Sequence, residues 1–149
     1  MTLLALVGNR SVVCLVSDRR LSADGVVVED EANKALVLCC DDARVGVVFT
    51  GLAATGFFHT RVWLVETLAE IADRRRMIAE ILTDFTVCAS SKFAQFPRSV
   101  RGVTFLVAGF THWGGAAPAA WIISNVGDDP GDGGDATLRT LNPSDDGVL

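Results

Sequence analysis

Residues 35–62 read ALVLCCDDARVGVVFTGLAATGFFHTRV, and within this stretch the hydrophobic period changes. Two apolar runs, 35–40 and 45–49, flank Asp41-Asp42-Ala43-Arg44. Their β-branched and apolar content predicts a hairpin. From about Thr55 the apolar residues fall instead at Phe58, Val62, Val65, Leu68 and Ala72, three and four apart. That spacing predicts an amphipathic helix of about five turns. Sheet ends and helix begins here, so the fold class turns on what lies to either side.

Upstream the chain is nearly all strand. Residues 3–7 (LLALV) and 11–17 (SVVCLVS) read as two strands joined at Gly8-Asn9-Arg10, with a short third at 25–28. Downstream, Met77, Ile78, Ile81, Leu82, Phe85, Cys88 and Ala89 continue the helical period to about Lys92. The expected helices are 55–74 and 76–93. Residues 103–110 (VTFLVAGF) and 119–124 (AAWIIS) return to strand, and 136–141 is a weak further one. Strands, then helices, then strands point to an α+β fold with antiparallel sheets, not an alternating βαβ one. The early strands are apolar on both faces, so one face is expected against helices and the other against a second sheet.

At 149 residues the chain is the length of one domain, and half of it is hydrophobic, enough for a real core. Its net charge of −5 excludes the basic surface that nucleic acid requires. Arg74-Arg75-Arg76 is a local cluster on a helix junction. Cys14, Cys39, Cys40 and Cys88 form no CxxC pair, which argues against zinc and against a disulfide framework. No run approaches the ~20 apolar residues of a membrane span, and 3–7 lacks the features of a signal segment. These readings together predict a soluble, cytoplasmic protein without membrane or nucleic-acid partners. The acidic stretch GDDPGDGGD (127–135) fails as a calcium loop, with Pro130 at its third position and Arg139 at its twelfth. No metal or other cofactor is expected.

Polar residues at strand ends are where a sheet presents chemistry. Asp18 follows SVVCLVS and Lys34 precedes ALVLCC. Such a pair could simply tie a hairpin, or it could activate a nucleophile. Thr2 supplies one. Trimming of Met1 would leave an α-amino group on the residue that carries the hydroxyl. Such an amine titrates near ~7.7–8.0 and can act as general base for its own Oγ.

Thr2 to Asp18 is sixteen residues and Thr2 to Lys34 thirty-two. With VSDRRLS, DEANKALVL, FTGLAA and VTFLVAGF around them, these intervals resemble the β-type subunits of the proteasome family. Those subunits are N-terminal-nucleophile threonine hydrolases, and the family includes the bacterial heat-shock peptidase. The resemblance implies an αββα sandwich and cleavage of peptide amides by Thr2. Lys34 would lower the nucleophile's pKa, Asp18 would hold Lys34, and the Gly51 N–H would donate to the oxyanion. Leu21, Ala32, Phe49 and Ala53 would line the pocket for the side chain before the scissile bond, which implies an apolar preference. It further implies a ring-type homo-oligomer acting on peptide or protein substrates.

The resemblance covers 2–124, leaving 125–149 as an acidic Gly/Pro-rich tail. Family members continue past the AAWIIS-like strand with a Gly-Ser-Gly turn and further helices and strands. Residues 127–149 hold no such turn, so the second helical layer is expected to be missing. Two other readings stand beside the hydrolase: a catalytically silent, proteasome-like assembly subunit, and an unrelated α+β binding module.

Overall fold

The computed structural model describes residues 4–23, 26–29, 32–112, 114–126 and 137–141. Strands β1 (Leu4–Gly8) and β2 (Val13–Ser17) form the first hairpin. Its turn runs from Asn9 to Val12, beyond the Gly8-Asn9-Arg10 expected. Asn9 Oδ1 accepts the N–H groups of Ser11 and Val12 at 2.8 and 2.9 Å. The asparagine side chain closes the turn, so Gly8 stays in the strand. A small antiparallel pair follows, β3 (Leu21–Ala23) and β4 (Val26–Glu29). Its first strand is absent from the sequence reading.

β5 (Ala35–Cys39) and β6 (Ala43–Gly51) make the predicted second hairpin. The chain then turns through a miniature one, β7 (Ala54–Thr55) with β8 (Phe58–His59). Helix α1 therefore spans Thr60–Ile71, five residues later than the period suggests. Thr60 sets that start. Its hydroxyl donates to Leu52 O and its N–H to Ala53 O, the latter at 2.9 Å. Backbone groups at 52 and 53 are thus satisfied by a turn, not by a helix. Helix α2 (Ile78–Phe93) starts where Asp42 Oδ1 accepts the Ile78 N–H at 2.7 Å. An aspartate from the β5–β6 turn thereby satisfies a first-turn donor that no local residue reaches.

β9 (Val103–Thr111), β10 (Ala117–Ser124) and β11 (Thr137–Leu141) complete a five-stranded antiparallel sheet ordered β11-β10-β9-β6-β5. In its centre Phe49 lies opposite Phe105 and Val47 opposite Val107. One face of this sheet (Val45, Val47, Phe49, Val103, Phe105 and Val107) packs on both helices through Leu64, Ile81, Leu82, Phe85 and Phe93. The rings interlock edge-on, with Phe85–Phe105 centroids 5.0 Å apart and Trp63–Phe93 5.1 Å. Such pairs add to simple burial. On the other face Val48, Leu106, Ala108 and Ala120 are buried. There the β1–β2 hairpin lies across β6 and β9. It lies so close that a Cβ at Gly46 would sit 2.7 Å from Leu15 Cδ1. The described residues form an α+β structure with two helices and antiparallel sheets.

Candidate active site

Asn33 starts the site. Its Oδ1 accepts the Ala35 N–H at 2.9 Å, a local turn that feeds the chain into β5. Lys34 is thereby aimed inward and is only 3 % exposed. An ammonium that deep must find acceptors. Lys34 Nζ donates to Asp18 Oδ1 at 2.6 Å and to the Arg20 carbonyl at 2.5 Å. Both acceptors belong to the segment that leaves β2, so the ion pair ties the first hairpin to the edge of the main sheet. Two of the three ammonium N–H groups are used in this way among the described residues.

The register sets what else meets Lys34. Ala35 pairs with Val48, so Lys34 comes level with Phe49. Lys34, Phe49, Ala32 and Ala53 line one cavity of about 120 Å³, with exposed His59, Arg61 and Val62 at its rim. Three of the four pocket residues expected from sequence thus meet beside the lysine. Leu21 lies in β3. A wider groove runs on the other side of Lys34, between β2 residues Leu15–Ser17 and Ala35.

Gly51 ends β6, two residues beyond Phe49, with φ of +98°. A Cβ there would meet Gly102 O at 2.1 Å. The position admits only glycine, because the backbone is left-handed and a second strand passes against it. Buried Asn125 holds that second strand, accepting from the Val103 N–H at 2.8 Å and donating to Arg101 O at 2.9 Å. Thr2 lies outside the described residues. Leu4 pairs with Ser17, the residue before Asp18, so the first described strand begins beside the ion pair.

No known family, curated protein or solved structure matches this chain.

Arg61 and His59 are the site residues that sequence reasoning missed. Locally both look like polar positions at a helix start. They reach the cavity because Phe58 is pinned from behind, its ring 4.8 Å from Phe96 and 5.9 Å from Phe93. That turns the next residues toward Phe49. The side chains of Arg61 and His59 carry no hydrogen bond or ion pair among the described residues. The described lining residues offer nitrogen donors, the Asn33 amide and apolar carbon, with no Asp or Glu among them. Asp18 is taken by Lys34. Among the described residues no group of three His, Cys, Asp or Glu side chains is placed to hold a metal. No helix among them is long and apolar enough to cross a membrane.

Just past the opposite end of β5, Cys40 is 2 % exposed. Burial, and then the Asp42 carboxylate, push its thiol up to about 11.

Proposed function

We propose that this protein is a threonine-type amidohydrolase that cleaves peptide bonds through Thr2 after removal of Met1. One observation carries the reading: a buried lysine, bonded to the aspartate sixteen residues before it, borders a cavity the size of one side chain. A lysine held only for stability needs no cavity at its side. In the proposed mechanism the Thr2 α-amine takes the proton of its own Oγ as that oxygen attacks the carbonyl carbon. Lys34 favours the alkoxide through its charge, and Asp18 fixes the ammonium. The Gly51 N–H donates to the oxyanion. Collapse of the tetrahedral species expels the amine and leaves an ester on Thr2, which water hydrolyses. The reading also carries an αββα-type sandwich, ring-type self-association and a cytoplasmic location.

The test is a mass and activity experiment on the same preparation. Intact mass should show loss of Met1, and a peptide electrophile should add once to the trimmed protein and not to Thr2→Ala. Peptide hydrolysis should vanish in Thr2→Ala. Retained Met1, or hydrolysis that survives Thr2→Ala, would overturn the mechanism.

A second reading has its own support. On the outward face of the first hairpin Val7 is 64 % and Val16 47 % exposed, beside exposed Cys14. An uncovered apolar sheet face suits an assembly subunit whether or not it cuts. Assembly with no electrophile adduct would favour the silent form.

A further inference from the structure

The cavity beside Lys34 is not the purely apolar slot that Leu21, Ala32, Phe49 and Ala53 imply. Its floor is apolar, from Ala32, Phe49 and Ala53. Arg61 and His59, both exposed, line the same cavity as buried Lys34. The Lys34 charge is matched by Asp18 at 2.6 Å. The Arg61 charge is matched by nothing among the described residues, in a chain whose net charge is −5. Among the described residues the lining holds no Asp or Glu.

We infer that this cavity takes an acidic side chain, glutamate or aspartate, of a bound peptide, with Arg61 as the residue that determines the specificity. The inference rests on the proposed peptide-hydrolase reading and names the residue before the scissile bond. A volume of about 120 Å³ has room for one medium side chain. It corresponds to about four waters at their liquid share. The methylenes of a glutamate would lie against Phe49 and Ala53, and its carboxylate would reach the open end where Arg61 and His59 stand. Arg61 suits this role because its fork of N–H groups matches a carboxylate with two parallel hydrogen bonds. An apolar side chain would make no use of the guanidinium, and a basic one would be repelled by Arg61.

The test separates binding from cutting. Three blocked tripeptide amides that differ only at the last residue, Glu, Gln or Leu, are titrated by NMR into full-length Thr2→Ala, which cannot turn them over. Glu should bind at least about tenfold more tightly than Gln, the difference expected for one charge-assisted contact. Arg61→Leu should erase that difference, and Arg98→Gln, an exposed arginine outside the cavity, should keep it. Preference for Leu, equal binding of Glu and Gln, or no binding would overturn the inference. Hydrolysis of matching peptides by the trimmed wild-type protein is read separately. A Glu preference in binding with no cleavage of any peptide would remove the hydrolase reading and leave the acidic pocket standing. Cleavage with Leu preferred over Glu would do the reverse.

Discussion

Lys34 Nζ and Asp18 Oδ1 stand 2.6 Å apart across sixteen residues of chain, with the lysine side chain 2 % exposed and the aspartate 27 %. The asymmetry of exposure matters as much as the bond. Asp18 can turn to water if its partner is removed, whereas Lys34 cannot.

Loss of the two partners should therefore differ in stability. Asp18→Ala strands a buried ammonium and should cost about 1–3 kcal/mol. Lys34→Met keeps the packing and frees an acid that can hydrate, so its cost should stay below about 1.5 kcal/mol. Urea midpoints at constant m-value would show the order. An equal or inverted order would mean that the pair is not held in the buried geometry described.

In activity the same two residues should act as one unit with Thr2. Lys34→Ala should abolish peptide hydrolysis as fully as Thr2→Ala, and the double variant should be no worse than either. Steady-state rates on one peptide decide this. Additive losses would separate Lys34 from the nucleophile.

Gly51 should tolerate no side chain. Gly51→Ala adds a Cβ 2.1 Å from Gly102 O at a φ of +98°. The left-handed backbone alone costs about 1–2 kcal/mol, and the clash adds to it. A thermal melt should show a clear loss of stability, and an unchanged melt would refute the conformation.

Asp42 should matter for α2 although it lies 36 residues before Ile78. Asp42→Ala removes the acceptor of the Ile78 N–H and should cost about 1–2 kcal/mol. Circular dichroism during urea unfolding is the measurement. Asp42→Asn, which keeps an acceptor oxygen, should recover most of the loss.

The cysteines should alkylate in a fixed order. Cys14 and Cys39 are exposed, while Cys40 is buried with its thiol pushed up to about 11. At pH 8 a thiol of that pKa is ionised to about one part in a thousand, so Cys40 should be modified last by iodoacetamide. The sign for stability follows. The folded state keeps the Cys40 proton at a pH where the unfolded chain has already lost it. Stability should fall as pH rises from about 9 toward 11, and Cys40→Ala should flatten that fall. Peptide mapping by mass and pH-dependent urea midpoints check the two parts.

Local pattern alone carried most of the elements. Short apolar, β-branched runs bounded by turn residues place β2, β5 and β9, and the three-and-four spacing places both helices, because these signals need only neighbours along the chain. Asp18 and Lys34 stood out for the same local reason, as charges at the ends of apolar strands. The tertiary structure decided what sequence could not: that β6 pairs with β9, that Asp42 meets the start of α2, and that Arg61 and His59 join Lys34 around one cavity. Each joins residues far apart in the chain, through a contact that forms only when the sheet and helices pack. Helix α1 shows both sides. Its apolar stripe was legible, but its first residue was set by Thr60 bonding back to Leu52 and Ala53, a closure that periodicity does not encode.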